Sequence, residues 1–155
     1  MKRLAVLLLI VCCIAACAHQ KAVLPATAFE KSTAMPGFTK IQIYNGIKAY
    51  LAQNKNYSIV ADDPGTATIQ ANGQIPYTYK EFFPLQFQDF KTKFNLQAAA
   101  QEGGFSVSFT DLRAAWPASG KTPAGERTIN QGREYNEVSR DLVKIPDEIS
   151  KFIRK

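Results

Sequence analysis

Two apolar stripes at helical spacing enclose the central part of the chain. After Thr39, apolar residues recur every three or four positions, and Thr39 with Gln42 forms a capping-box pattern that predicts where this helix begins. A second stripe runs from Tyr135 to Phe152 and predicts a C-terminal helix. Pro146 lies inside that stripe and should kink or break the helix, because proline lacks the backbone donor.

Between these stripes the pattern changes to a strict alternation of apolar and polar residues, which is typical of strands with one wet face. The alternating segments are residues 57–61, 66–71, 91–101 and 105–110. Asn72-Gly73 predicts either a tight hairpin or, in our preferred interpretation, a glycine bulge within one longer strand. Residues 111–132 contain two prolines and three glycines and are predicted to form a long loop.

The order of helix, strands, loop and helix predicts an α+β fold. We expect an antiparallel sheet of 3–5 strands, with an N-terminal and a C-terminal helix packed on one face. Residues 37–155 should form this single domain.

The N-terminus has a separate character. Met1-Lys2-Arg3 is basic, and the apolar run that follows, residues 4–18, is shorter than the roughly 20 residues a membrane-spanning helix needs. This pattern predicts a secretory signal peptide over residues 1–16. Ile14-Ala15-Ala16-Cys17 resembles a bacterial lipobox, although an ordinary signal peptide cut after an Ala-x-Ala-like site is the alternative.

The lipoprotein resemblance implies that Cys17 becomes the first mature residue and carries fatty acyl chains such as palmitate. Ala18 follows it, and the absence of Asp at that position implies the outer membrane, facing the periplasm; the inner membrane and the cell surface remain open. Residues 17–36 would then be a lipidated tether. Because every cysteine lies at or before Cys17, the mature domain would contain no free thiol or disulfide.

A second resemblance concerns the folded domain. The order of elements, the Ile75-Pro76-Tyr77 segment and the Phe94–Phe109 hairpin resemble small bacterial lipoprotein domains with a TATA-binding-protein-like fold. The similarity covers roughly residues 38–153. It implies a fold and supplies no catalytic residue.

Charge narrows the choice of partners. The chain has a formal net charge of +6, and removal of Lys2 and Arg3 with the signal peptide would lower it to +4. A mildly basic domain is weakly attracted to anionic lipid or polysaccharide. Nucleic acid is not an expected partner in the periplasm.

Residues with catalytic chemistry are few. The single histidine, His19, falls in the predicted tether, so neither a Ser-His-Asp arrangement nor a histidine-based zinc site is expected. Asp62, Asp63 and Asp111 are the acids nearest strand ends, where a carboxylate pair could act as in a glycosidase. The preferred interpretation is turn chemistry, because Asp62-Asp63 precedes Pro-Gly, where aspartate is a normal turn residue. We therefore expect no enzyme activity, no cofactor and no metal.

Residues 77–94 are rich in aromatic side chains, interleaved with lysines. Most of these aromatics should fill the core, but Phe82 and Phe83 are adjacent and cannot both point inward on a regular strand. One of them, together with Trp116 in the predicted loop, is a candidate for partner contact.

These observations favour a non-enzymatic, membrane-anchored envelope protein that binds a protein partner through Phe82, Phe83 and Trp116. The alternative is a module that binds a glycan or a lipid through the same aromatics with Lys91 and Lys93.

Overall fold

The computed structural model describes residues 29–79, 89–120, 123–130 and 132–155. The described elements, in chain order, are β1 (Phe29–Ala34), α1 (Lys40–Gln53), β2 (Tyr57–Asp63), β3 (Thr68–Pro76), β4 (Lys91–Gln101), β5 (Gly104–Trp116), β6 (Gly125–Thr128), α2 (Gly132–Leu142) and α3 (Lys144–Ile153). The strands form one antiparallel sheet in the order β1-β5-β4-β3-β2, and β6 also pairs with β5. The predicted α+β class with an antiparallel sheet is confirmed, but six strands replace the expected 3–5.

The two strands that the sequence pattern missed share one edge of β5. Strand β1 pairs with residues 104–109 of β5, and β6 pairs with residues 113–116. The predicted tether over residues 17–36 is therefore wrong for its described part, because Phe29–Ala34 are hydrogen-bonded into the sheet and extend the domain before residue 37. The predicted loop over residues 111–132 is wrong as well, since it contains the end of β5 and all of β6.

One face of the sheet is buried under helices. Along β4, every second residue from Thr92 to Ala100 is buried, while Lys91, Lys93 and the other intervening residues are exposed or half-buried. Helix α1 contacts β4, β2, β3 and β5, and α3 contacts both α1 and β1. The apolar sides of all three helices and the buried side of the sheet belong to one hydrophobic cluster. We call this side of the sheet the inner face.

The helix ends follow the predicted chemistry. The Thr39 hydroxyl accepts a hydrogen bond from the Gln42 backbone N–H at 3.3 Å, and the Gln42 side chain accepts one from the Thr39 backbone N–H at 2.9 Å. This reciprocal pair is the capping box, and α1 begins at Lys40, the residue after Thr39. The C-terminal stripe is divided at Val143 into α2 and α3, three residues before Pro146. None of the described helices is long and apolar enough to cross a membrane.

Residues 72 and 73 do not form a hairpin, and no register shift occurs there. Strand β3 pairs with β4 in continuous register from Thr68 to Pro76. The irregularity lies in the neighbouring edge strand instead, between Ile59 and Ala61 of β2. Gly73 is required for a different reason: a Cβ atom there would lie 2.3 Å from the Phe94 ring on the inner face.

Candidate functional site

The side of the sheet opposite the helices carries amides and hydroxyls. We call it the open face and define it by eleven polar, outward-pointing residues of the three central strands. These are Gln70, Asn72, Gln74, Lys91, Lys93, Asn95, Gln97, Ser106, Ser108, Thr110 and Arg113. Alternation along each strand separates them from the buried residues, because successive side chains point to opposite faces.

Strand register places these polar side chains directly opposite one another. Gln70 faces Gln97, and Asn72 faces Asn95, across the β3–β4 ladder. In a sheet, directly opposed side chains have Cβ atoms about 4.5–5.5 Å apart. The amides therefore form two rows that run along neighbouring strands.

The amides of these rows are unpaired. Gln70, Asn72, Gln74, Asn95 and Gln97 make no side-chain hydrogen bond to any residue that the structure describes. Each amide has two N–H donors and a carbonyl acceptor. The rows therefore present both donors and acceptors to a ligand.

A depression of about 460 Å³ lies at one end of the open face. Amides of Asn72, Gln74 and Asn95 line it, together with the backbone turn before β2 and the charged end of β5. Its volume is in the range of small-molecule sites, roughly 300–1,000 Å³. The charged residues that line it are Lys55, Lys93, Asp111, Arg113 and Glu126.

Four of these charged residues are linked. Arg113 Nε donates to Asp111 Oδ1 at 2.9 Å, and Arg113 Nη1 donates to Glu126 Oε1 at 2.7 Å. Lys93 Nζ contacts the other oxygen of the same carboxylate, Glu126 Oε2, at 3.2 Å. Hydrogen bonds from Arg113 and then Lys93 hold the pKa of Glu126 below its ordinary value. The same contacts with Asp111 and Glu126 raise the pKa of Arg113.

This charged corner depends on a bulge in β5. The ladder shifts between the pairs Lys93–Arg113 and Asn95–Thr110, so β5 carries one extra residue there. Asp111 adopts a left-handed backbone, with φ of 53°, which aspartate tolerates better than most residues. The bulge restores the alternation afterwards, so that Leu112 and Ala114 are buried while Arg113 faces outward.

The described aromatics of residues 77–94 contribute to the inner side. Tyr77 and Phe94 are buried, and the Phe94 ring contacts Phe109 edge-on at 5.5 Å. Phe90 lies between Tyr77, at 6.0 Å, and Trp116, at 5.8 Å. Most of the described members thus fill the interior, as expected. Phe82 and Phe83 lie outside the described residues, as does Cys17.

Trp116 is the last residue of β5 and does not lie in a loop. Its ring stacks on Phe90 with an interplanar angle of 23°, and its Nε1 donates to the Pro123 carbonyl at 3.2 Å. A Cβ atom on Gly125 would lie 2.7 Å from the ring, so the ring packs against bare backbone. Trp116 is half-buried, and its contact with a partner stays a prediction.

The acids that the sequence singled out have separate surroundings. Asp63 accepts hydrogen bonds from the backbone of Gly65 at 2.9 Å and from the Thr66 hydroxyl at 2.8 Å, which is the expected turn chemistry. Asp62 instead contacts Lys48 and the Tyr44 hydroxyl of α1. Asp111 contacts Arg113 on the opposite side of the sheet, so the structure does not bring these carboxylates together.

Phenol–carboxylate contacts occur beside the helices. The Tyr50 hydroxyl donates to Glu148 at 2.8 Å, and the Tyr77 hydroxyl donates to Glu134, which also pairs with Arg127 at 2.7 Å. Burial, and next the hydrogen bonds to these carboxylates, raise the pKa of Tyr50 and Tyr77 well above the ordinary range. Across the ranges that the structure covers, no group of three or more His, Cys, Asp or Glu is placed to hold a metal ion.

The architecture is that of a TBP-like domain. The chain belongs to the family described as a domain of unknown function (DUF4468) with TBP-like fold, which matches residues 29–114. The fold predicted from resemblance is therefore confirmed, whereas the lipobox stays a prediction. The match begins at the first residue of β1, in agreement with the strand that the tether prediction missed.

Two solved structures share this fold. A TBP-like protein from Parabacteroides distasonis ATCC 8503 is 10% identical, with a TM-score of 0.59 over 87% of this chain and 97% of that chain. A DUF4468 family protein from Bacteroides ovatus ATCC 8483 is 16% identical, with a TM-score of 0.51 over 85% of this chain and 82% of that chain. No curated protein matches the chain significantly.

Proposed function

We propose that this protein is a non-enzymatic, lipid-anchored binding module of the bacterial cell envelope, whose open face binds a glycan. Cys17 would carry the lipid, and the domain would project from the outer membrane into the periplasm. The lipobox-like Ile14-Ala15-Ala16-Cys17 sequence and the basic start of the chain support the anchor.

The observation that carries the glycan proposal is the pair of unpaired amide rows on β3 and β4. Sugar hydroxyls both donate and accept hydrogen bonds, and an amide offers both partners within one planar group. Gln70, Asn72, Asn95 and Gln97 therefore match an extended, hydroxyl-rich chain laid along the strands. The depression beyond Asn72 gives such a chain a place where one unit is held more deeply.

The same face is less suited to a protein partner. The centres of protein interfaces are enriched in aromatic residues, methionine and arginine, and of these the open face carries only Arg113, at one end, among its described residues. Within the described residues, the outward positions of β3, β4 and β5 carry amides, hydroxyls and charges apart from Pro76, Ala99 and Ala115, and the aromatics lie inward. A glycan thus moves ahead of the protein partner that sequence alone favoured.

Binding of the detergent-solubilised full chain to insoluble envelope polysaccharide tests this proposal. We expect the Asn72→Ala/Asn95→Ala double variant to bind at least about tenfold more weakly, since two hydrogen-bonding amides are lost from the centre of the face. Gln53→Ala, which removes an exposed amide at the end of α1, is the matched control. Equal binding by the double variant and the control would reject the open face as the site.

A protein partner remains the second candidate, because the Phe90–Trp116 stack keeps a large aromatic ring half-exposed at the end of the sheet. A pull-down from detergent-solubilised envelope should then recover a partner with the native chain and lose it with Trp116→Ala or with the Phe82→Ala/Phe83→Ala variant. A partner that is captured equally by all of these variants would remove these residues from the interface.

The anchor is tested separately. Metabolic labelling with a fatty acid should mark the native chain and not Cys17→Ser, which should also remain uncleaved. An unlabelled native chain would refute the lipoprotein assignment without touching the glycan proposal.

A further inference from the structure

The two ends of the open face differ in charge. At the end that contains the depression, Lys55, Lys91, Lys93 and Arg113 contribute four cations. Lys91 and Lys93 are two positions apart on β4, so both point outward. Lys55 and Lys91 form no ion pair with another described residue. At the other end the described outward residues of β3, β4 and β5 are uncharged, and the nearest charge on β1 is Glu30, beside Ser108.

Two of these cations already hold a carboxylate between them. Lys93 and Arg113 are direct partners in the β4–β5 ladder. Glu126 gives one carboxylate oxygen to Arg113 at 2.7 Å and the other to Lys93 at 3.2 Å. A guanidinium and an ammonium that each hold one oxygen form a bidentate carboxylate site. The side chain of Glu126 thus shows what this pair of cations recognises.

The carboxylate of Glu126 is replaceable. Its side chain is 38% exposed, and those of Arg113 and Lys93 are 41% and 52% exposed. Ion pairs this exposed contribute little, since water competes for both partners. Glu126 also comes from β6, a four-residue edge strand. A carboxylate arriving in the depression would therefore exchange with Glu126 at little cost and keep both cations paired.

We infer that Lys93 and Arg113 form a subsite for the carboxylate of an acidic glycan, and that Glu126 occupies this subsite until the glycan displaces it. This inference rests on the proposed function and names the class of glycan. When Glu126 moves away, Lys55, Lys93 and Arg113 face the depression with Asp111 as the one remaining carboxylate of its lining. Charge complementarity then selects a polyanion over a neutral polymer.

The test compares two forms of one polymer, with its carboxyl groups ionised or converted to uncharged methyl esters. Polygalacturonate carries a carboxylate on each sugar, and its fully methyl-esterified form carries none. Using the full chain in detergent, we expect the acidic polymer to bind at least about tenfold more tightly, and its affinity to fall as salt is raised. Lys93→Gln and Arg113→Gln should each reduce this preference, whereas Lys151→Gln, which removes an exposed lysine of α3, should not.

Glu126→Gln gives the sharpest outcome. A merely structural Glu126 would leave affinity unchanged or weaken it on substitution. A competing Glu126 predicts that Glu126→Gln binds polygalacturonate more tightly, by about two- to fivefold, because an exposed ion pair of up to about 1 kcal/mol no longer has to be broken. Nuclear magnetic resonance signals of the Arg113 side chain should shift on titration with galacturonate oligomers.

The outcomes separate the two proposals. Equal binding of both polymers, with loss in Asn72→Ala/Asn95→Ala, keeps the glycan-binding face and overturns the carboxylate subsite. Failure of both polymers to bind rejects the glycan proposal and the subsite with it. If inorganic phosphate competes more strongly than galacturonate, the assignment to a carboxylate is wrong. Thermal unfolding of each variant well above the temperature of the binding assay confirms that loss of folding is not the cause.

Discussion

The two faces of the sheet are formed by the same strands, but one face packs in the core and the other presents polar side chains. On the inner face, Phe105, Val107 and Phe109 of β5 are at most 1% exposed and join the helices in one core. On the open face, the intervening residues Ser106 and Ser108 are half-buried and polar. Stability and recognition are thus divided between alternate residues of one strand. Substitutions at neighbouring positions of β5 should therefore have different effects, one on stability and the other on binding.

The largest expected effect is in the core. Phe109 is fully buried and contacts the rings of Phe29 and Phe94. Phe109→Ala should lower the free energy of unfolding by about 3–5 kcal/mol, because it removes buried apolar surface and leaves a cavity. Urea unfolding followed by circular dichroism measures this loss.

Ser108→Ala is the matched control, one residue away on the opposite face. It should change the free energy of unfolding by no more than about 0.5 kcal/mol. If Ser108→Ala cost as much as Phe109→Ala, the division of the two faces would be wrong.

A smaller effect is expected at Gly73. An added methyl group would collide with the Phe94 ring, since the Cβ position lies 2.3 Å from Phe94 Cε2. Such overpacking costs about 1–3 kcal/mol, which outweighs the roughly 0.5–1 kcal/mol that replacing glycine gains within a regular element. Gly73→Ala should therefore unfold at lower urea concentration, whereas Asn72→Ala beside it should not. A more stable Gly73→Ala would contradict the packing described above.

The tyrosines on the helix-covered side have raised pKa values. The hydrogen bond to Asp62 raises the pKa of Tyr44 to about 12, and burial raises that of Tyr57 to about 12. Tyr50 and Tyr77 are raised further. The stability contributed by Tyr44 and Tyr57 is complete below the ordinary pKa, near 10, and is lost as the pH rises through about 12, whereas that of Tyr50 and Tyr77 is lost only at higher pH.

At about pH 11 these four phenols should remain protonated in the folded protein and ionise in denaturant, as ultraviolet absorbance of phenolate would show. Coincident titration curves in the two states would disprove the proposed shifts.

The smallest effect belongs to the open face and appears in acid. Contacts with Arg113 and Lys93 lower the pKa of Glu126, so its stabilising contribution is present above the ordinary value of 4.5 and is lost as the pH falls through the lowered value. The native chain should be slightly more stable than Glu126→Gln at neutral pH, and this difference should shrink as the pH is lowered below 4.5. A difference that persists unchanged in acid would show that charge is not its cause.

Local patterns in the sequence predicted the regular central elements well. The capping pair of Thr39 and Gln42 located the start of α1, and alternation gave the bounds of β4 as Lys91–Gln101. Both signals lie within a short stretch of consecutive residues, so these bounds could be predicted without knowing which distant parts of the chain pack against them.

The missed elements depend on distant partners. Strand β1 has little alternation in apolar character, and its backbone hydrogen bonds go to β5, far along the chain. Asp111 interrupts the alternation of β5, so the strand appeared to stop at Thr110; the left-handed bulge lets it continue to Trp116. The signal for the bulge in the sequence was Asp111 itself, a polar residue with turn propensity within an otherwise alternating segment.

The candidate site was predicted only in part. Lys91 and Lys93 stood out beside the aromatics, but Arg113 and Glu126 lay in what the pattern presented as a loop. Their meeting with Lys93 depends on the register of β4 against β5 and of β5 against β6. Register is set by the hydrophobic patterns of both paired strands and by turn geometry, and here also by the bulge at Asp111, so no single segment of sequence specifies it.

Strand β5 also determines when the sheet can close during synthesis. The first described strand and the last one both pair with it, and Phe29 finds its partner only at Phe109. As the chain emerges from its N-terminus, whether from a ribosome or across a membrane, β1 is available before β5 and has no partner strand until α1 and three further strands have followed. Such non-local closure slows folding, because chain entropy is lost before the contact forms. Truncation before residue 104 would therefore leave β1 without a partner strand, and the nascent chain should resist proteolysis only once β5 has emerged.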